Sequence, residues 1–167
     1  MGYAKTSVRL AYQVCLSHIL ISSSNCTNVT LFLREAVNDH SSGVVGIVTM
    51  LKPSLRTLVN IDIEYSILDG YGAPLGGLCH ELEKMAGHNV VETIKLMIWV
   101  NPGFDCTRWS ELDDVLMGSP KSWPELREVS LLFRVFEVYR IKALQELPMT
   151  KLVESKRVKF ELEVTLF

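Results

Sequence analysis

A near-constant spacing between short β-strand patterns is the feature of this sequence that most constrains its fold. Such segments start at Val29, Val59, Ile94, Val129 and Phe160, at intervals of 30, 35, 35 and 31 residues. A segment with helical periodicity precedes each of them. Five helix–strand units at one period are typical of repeat proteins, in which each unit buries its apolar face against its neighbours.

The helical segments are predicted from apolar residues that recur three and four positions apart. The predicted helices are Thr6–Ile21, a weaker Glu35–Leu51 closed by Pro53, Pro74 to Gly87, one from Ser110 onward, and one within Val138–Ser155 broken at Pro148. The third is the clearest, because Pro74 stands at its first turn and Gly87 at its C-terminal cap. Its apolar stripe comprises Leu75, Leu78, Cys79, Leu82, Met85 and Ala86.

Strands that alternate with helices predict an α/β fold with a mainly parallel sheet and right-handed crossovers. Residues 1–167 fit a single repeat domain. A leucine-rich-repeat-like solenoid of about five helix–strand units fits best, because one helix recurs per strand with little else. A doubly wound open α/β sheet, with helices on both faces, is the alternative.

Composition narrows the classes of partner. The formal net charge is −2 and no long run has one sign, whereas an electrostatic nucleic-acid binder carries a basic stripe. The sequence has no polybasic patch and no stretch near the roughly 18 apolar residues of a membrane span. We therefore expect a protein partner, not nucleic acid or membrane. The four widely spaced cysteines favour reduced thiols in a cytoplasmic or nuclear protein.

One part of the repeat resembles a known family. Trp109–Leu116, followed by Trp123–Leu131, is similar to the W-x-x-L-D-x-x-L … P-x-L-x-x-V-x-L pattern of leucine-rich-repeat-like regions in the F-box-type proteins of mushroom-forming (basidiomycete) fungi. Pro53–Leu58 is a second, looser copy of the P-x-L-x-x-L element. The resemblance implies that the repeats capture a partner. No F-box is found in this sequence, so the family's docking to a ubiquitin-ligase scaffold does not carry over.

The N-terminal region supports an alternative, a secreted fungal protein of another role. Lys5 and Arg9 precede an apolar run from Leu10 to Ile21 that faintly resembles a signal peptide, although polar residues interrupt it and no small-residue cleavage site follows. Asn25 and Asn28 begin two N-glycosylation sequons, which would matter only in a secreted chain.

No catalytic residue, metal site or cofactor is predicted. The sequence lacks a nucleophile elbow, a phosphate-binding loop, a dinucleotide fingerprint and H-E-x-x-H. Cys79 and His80 match no zinc spacing and are interpreted as a core cysteine beside a surface histidine. Asp62 and Glu64 share one face of a strand, where a solvated surface is favoured. A small α/β enzyme that uses either pair is the competing hypothesis.

A candidate binding surface appears when the five strands are aligned by their starts, because the third and fifth positions after each start then point away from the helices. The third positions are Phe32, Asp62, Met97, Leu132 and Glu163. The fifth positions are Arg34, Glu64, Trp99, Arg134 and Thr165.

The predicted partner-binding residues are Phe32, Arg34, Asp62, Glu64, Met97, Trp99, Leu132 and Arg134. Aromatic residues, Met and Arg are enriched at the centres of protein interfaces. We therefore expect a non-catalytic protein-interaction module that binds its partner through this strand face. A covering helical layer, or a homodimer formed through an exposed sheet face or edge, would also account for the apolar side chains.

Overall fold

The computed structural model describes residues 7–12, 26–34, 46–66, 74–100, 109–136 and 140–167. Within these ranges six strands form one sheet: β1 Ser7–Tyr12, β2 Asn28–Arg34, β3 Asn60–Ser66, β4 Thr93–Val100, β5 Glu128–Val135 and β6 Lys159–Leu166. The helices are α1 Ile47–Leu51, α2 Pro74–Met85, α3 Trp109–Met117, α4 Arg140–Gln145 and α5 Thr150–Glu154, and a 3-10 turn, Lys52–Ser54, follows α1.

The strands pair in the order in which they occur along the chain, and every pair is parallel. One row of the register joins Val29, Ile61, Ile94, Val129 and Phe160. Helices of successive units also contact each other, α1 with α2, α2 with α3, and α3 with α5. The predicted α/β class with a parallel sheet is therefore confirmed.

The core lies between the sheet and the helices, because alternate strand residues point to the helical side. The buried residues of β2 to β5 are Val29, Leu31, Ile61, Ile63, Tyr65, Ile94, Leu96, Ile98, Val100, Val129, Leu131, Phe133 and Val135. Their helical partners in the core include Leu51, Leu82, Met85, Leu112, Leu116 and Leu152. A fully buried Leu, Ile or Val side chain contributes roughly 1.5–3 kcal/mol relative to an exposed one, so this shared cluster holds the units together.

The same backbone hydrogen bonds recur at each junction between neighbouring units. In each case a backbone N–H donates to a carbonyl oxygen of the preceding unit: Val59 to Thr27 at 2.9 Å, Glu92 to Val59 at 2.8 Å, Arg127 to Glu92 at 2.8 Å, and Lys159 to Arg127 at 2.7 Å. Each acceptor therefore sits one unit before its donor, and three of these residues serve in both roles. The recurrence gives the chain a structural period of 32 to 35 residues.

The clearest predicted helix is confirmed as α2. Gly87 follows it with φ of 76°, a left-handed conformation that glycine adopts without a steric penalty. Its N–H donates to the carbonyl oxygen of Ser122 at 2.7 Å, which ties the cap to the next unit. The predicted break at Pro148 is also confirmed, because α4 ends at Gln145 and α5 begins at Thr150.

The predicted helix Thr6–Ile21 is wrong over Ser7–Tyr12, which forms strand β1. Val8 and Leu10 take register positions beside the buried Val29 and Leu31, and parallel pairing with β2 outweighs the helical spacing. Residues 13–25, which hold most of the signal-like run and Asn25, lie outside the described residues, as do residues 35–45 of the second predicted helix. In the described ranges no helix is both long and apolar enough to cross a membrane.

Candidate functional site on the open face of the sheet

The face of the sheet opposite the helices, here called the open face, carries the candidate site. Its side chains alternate with the buried ones along each strand and are partly or fully exposed. Its described members on the five strands from β2 to β6 include Thr30, Phe32, Asp62, Glu64, Lys95, Met97, Trp99, Ser130, Leu132, Arg134, Glu161, Glu163 and Thr165.

The register places Phe32, Met97, Leu132 and Glu163 in one row across the open face, as aligned from the sequence. The remaining member of the predicted row, Asp62, is wrong, because Glu64 stands between Phe32 and Met97. The sequence pattern predicts that β3 starts at Val59 beside Val29, whereas Ile61 is the residue that pairs with Val29. A shift of two residues keeps every side chain on its predicted face, since the strand period is two.

Asp62 and Arg34 consequently have other neighbours than the sequence suggests. Asp62 lies in a row with Thr30 and Lys95, so opposite charges stand side by side on β3 and β4. Arg34 takes the backbone position beside Ser66 at the end of β2, and its side chain lies outside the described part of the structure.

Trp99 is the centre of an aromatic cluster at the carboxyl ends of β4, β5 and β6. Its ring lies 5.0 Å from that of Phe167, edge to face, and 6.3 Å from that of Phe136. Phe136 and Phe167 are also in contact, with ring centroids 6.3 Å apart and planes at 77°. The phenylalanine side chains are exposed, at 50% and 69%. We call Trp99, Phe136 and Phe167 the aromatic cluster.

Two charged residues hold the aromatic cluster from either side. The carbon at the centre of the Arg134 guanidinium lies 4.9 Å from the Trp99 ring centroid and 5.6 Å from that of Phe167. These distances are typical of cation–π contacts. On the other side, the indole Nε1 of Trp99 donates a hydrogen bond to Oε1 of Glu64 at 3.0 Å. The tryptophan is therefore fixed in orientation while it remains accessible.

Sequence reasoning missed Phe136 and Phe167, although the same alignment contains them. They lie seven positions after the strand starts at Val129 and Phe160, and the register pairs Val135 with Leu166 immediately before them. The predicted surface ends at the fifth position of each strand. One further step along β5 and β6 would have placed both rings beside Trp99 and Arg134.

Two charged residues at the start of β6 on the open face are paired with each other. Lys159 and Glu161 form an ion pair on β6. The hydrogen bond from Lys159 is the main cause that lowers the pKa of Glu161, and the same bond raises the pKa of Lys159. Arg134 thus differs from Lys159, because its contacts are with rings.

The two residue pairs of the competing enzyme hypothesis lie on opposite sides of the sheet. Cys79 is buried in the core on α2, and His80 points outward beside Glu83, with Nδ1 4.0 Å from the nearest carboxylate oxygen. Asp62 and Glu64 lie on the open face, across the sheet from Cys79. Among the described residues no group of three or more His, Cys, Asp or Glu side chains could hold a metal ion.

Comparison of the chain with protein-family models, with curated proteins and with solved structures found no match in any of the three.

Proposed function

We propose that this chain is a non-catalytic protein-interaction module, a solenoid of leucine-rich-repeat-like units that binds a protein partner through the open face. The observation that carries the proposal is the aromatic cluster, in which two exposed phenylalanine rings lie beside the half-buried Trp99 and Arg134 at one end of the sheet. Trp, Tyr and Arg dominate the residues whose truncation costs most at protein interfaces.

The repeat interpretation is supported by the order of the elements. In a solenoid each unit contacts only its neighbours, and here strands pair sequentially while helices of adjacent units pack together. The recurring carbonyl acceptors at Thr27, Val59, Glu92 and Arg127 support the same interpretation. A doubly wound sheet needs a point where the strand order reverses, and the six described strands contain none.

The motif that resembles the fungal leucine-rich-repeat-like regions supplies core residues. Trp109 packs edge to face on Phe133 at 5.0 Å, and the indole of Trp123 donates to the carbonyl oxygen of Val115 at 3.1 Å. Both tryptophans are buried, as are Leu112 and Leu116. These residues build the unit between β4 and β5, and the partner surface would lie on the opposite side of the same strands.

The first prediction concerns Trp99. Trp99→Ala removes the centre of the cluster, and we expect capture of a specific partner to fall about tenfold or more, as for a central interface tryptophan. The measurement is affinity capture by the tagged full chain, with the captured protein quantified by mass spectrometry and its affinity then determined by titration of the purified pair.

Lys142→Ala is the matched control, since Lys142 is exposed on α4, where its ion pair with Glu146 spans 4.0 Å. This variant should keep the partner, and circular dichroism should show both variants folded. Equal capture by the Trp99 and Lys142 variants contradicts the proposal. Unfolding of Trp99→Ala would place the indole in the core, and a dimer lost in that variant would make the partner a second copy of the chain.

A further inference from the structure

Among the described residues, the open-face positions next to Arg134 carry no carboxylate. Its four nearest positions on that face are Leu132 and Phe136 along β5, Trp99 on β4 and Thr165 on β6. None of these four side chains carries a negative charge. Arg134 therefore forms no opposite-charge pair with a directly neighbouring strand residue, although such cross-strand pairs stabilise sheets.

The Arg134 guanidinium contacts the rings of Trp99 and Phe167, which are not carboxylate acceptors. A guanidinium that stacks on aromatic faces keeps its N–H donors in its own plane, in a fork that matches a carboxylate. Across the described residues, none of these N–H groups donates to a protein acceptor, and the contacts of this side chain are those with Trp99 and Phe167. The N–H fork of Arg134 therefore has no acceptor among the described groups.

The nearest acidic side chains of the face have other partners. Glu64 accepts the indole N–H of Trp99 at 3.0 Å, which fixes the ring on which Arg134 stacks. Glu163, diagonal to Arg134 on β6, accepts a hydrogen bond from the Thr165 hydroxyl at 3.2 Å. Glu64 is in this sense a positioning residue for the cation.

We propose that Arg134 is an anion-binding site of the open face and that it takes a carboxylate side chain of the partner. Phe136 and Phe167, half or more exposed beside the guanidinium, would take an apolar side chain next to that carboxylate. The partner segment is thus an Asp or Glu adjacent to a large apolar residue. This assignment rests on the proposed function and specifies the chemistry of its partner.

The anion site is tested first on the chain alone, by quenching of Trp99 fluorescence. Of the three tryptophans, Trp109 and Trp123 are 1% and 0% exposed, so accessible emission comes from Trp99. An anion site should concentrate iodide beside this ring and keep caesium away. In Arg134→Gln the ratio of the iodide to the caesium quenching constant should fall about tenfold at low ionic strength, because one unit charge about 5 Å away in water changes the local concentration of each ion about fourfold, in opposite directions, and salt screens part of this.

Lys142→Gln is the control for this experiment, because it removes the same charge from α4 and should leave the ratio unchanged. Arg134→Lys keeps the charge and should keep most of the ratio. Neutral acrylamide reports any change in exposure of the ring, and this change cancels in the ratio. A ratio that is the same in the wild type and in Arg134→Gln overturns the anion site.

The partner chemistry is tested with ten-residue synthetic peptides that hold Phe-Glu or Leu-Asp between Gly, Ser and Ala. Binding is followed by the emission of Trp99. We expect the acidic peptides to lose about tenfold or more affinity for Arg134→Gln, as for a hydrogen bond to a charged group. Matched Gln, Asn or Lys peptides should bind weakly.

The two proposals fail in distinguishable ways. Neutral or Lys peptides that bind as tightly as the acidic ones overturn the carboxylate assignment, as does the absence of any acid-dependent binding. The proposed function would survive either result as long as a partner is captured through Trp99. Failure of capture through Trp99 removes the proposed function, whereas the iodide measurement then still decides whether Arg134 binds anions.

Discussion

Two buried carboxylates, Glu81 and Asp113, hold helices of only five residues, which are too short to be stable alone. Glu81 on α2 accepts the backbone N–H of Val48 in α1 at 3.0 Å. Asp113 on α3 accepts the N–H groups of Lys151 and Leu152 in α5 at 2.8 and 2.9 Å. Each acid caps a helix of a neighbouring unit, as a side chain at an N-cap does within one helix.

The residue-scale prediction follows from Asp113. Asp113→Ala leaves two N–H groups of α5 without their acceptor, and we expect the free energy of unfolding to fall by about 2–3 kcal/mol. Urea unfolding followed by circular dichroism measures this loss. Asp114→Ala is the neighbouring control, which breaks only an exposed ion pair with Lys151 and should change stability much less. Equal losses in both variants would contradict the capping role.

At the scale of the helices and strands, periodicity located most elements, because they are bounded by local signals. Pro74 and Gly87 bracket α2, and the apolar alternation of β4 and β5 needs no partner to be recognised. The apolar residues of β1 fit both the helical and the strand spacing, so only the pairing of β1 with β2 decides between helix and strand.

The register of β3 is the second feature that local patterns could not determine. Val59 and Ile61 are both apolar and, being two residues apart, would point to the same face of the sheet. Which of them lies beside Val29 is decided only in the folded sheet. The candidate site was consequently predictable as a face but not as a set of neighbours. Contacts such as the hydrogen bond between Trp99 and Glu64 depend on that register.

The end of α3 gives the element-scale prediction. Gly118 donates its N–H to the carbonyl oxygen of Asp114 at 2.7 Å, and a Cβ atom there would overlap that oxygen. Because backbone must move to relieve the overlap, Gly118→Ala should lower the free energy of unfolding by about 2 kcal/mol. Thermal or urea unfolding followed by circular dichroism measures this fall in the free energy of unfolding.

Gly87→Ala is the comparison for Gly118→Ala, since its Cβ would meet only the Lys121 carbonyl oxygen at an ordinary 3.9 Å. The expected fall in the free energy of unfolding for Gly87→Ala comes from the φ of 76° alone and should be about 1 kcal/mol. A smaller loss for Gly118→Ala than for Gly87→Ala would show that α3 ends differently from the geometry described.

At the scale of the whole molecule, the sheet and its helices share one continuous core, and the two faces of the sheet differ in how deeply their side chains are buried. The helical side buries the apolar rows that hold the units together, and the open face keeps Trp99, Phe136 and Phe167 accessible. A substitution on one face should therefore change mainly stability, and one on the other mainly binding. If the proposed solenoid holds, the interfaces between adjacent units supply much of this stability.

The whole-molecule prediction compares two leucines of one register row. Leu131 on β5 is fully buried between Leu96 and Leu162, whereas Leu162 on the outer described strand β6 is only partly buried. Leu131→Ala should lower the free energy of unfolding by about 3–4 kcal/mol, and Leu162→Ala by about 1–2 kcal/mol.

Because Leu131 touches units on both sides, its loss should weaken the array as a whole, so tryptophan fluorescence and far-ultraviolet circular dichroism should report the same urea midpoint. In Leu162→Ala the β6 unit should loosen first, and amide hydrogen exchange should rise in Lys159–Leu166 before it rises in β4. Separate midpoints in Leu131→Ala, or equal exchange along the sheet in Leu162→Ala, would show that stability is not transmitted from unit to unit through this row.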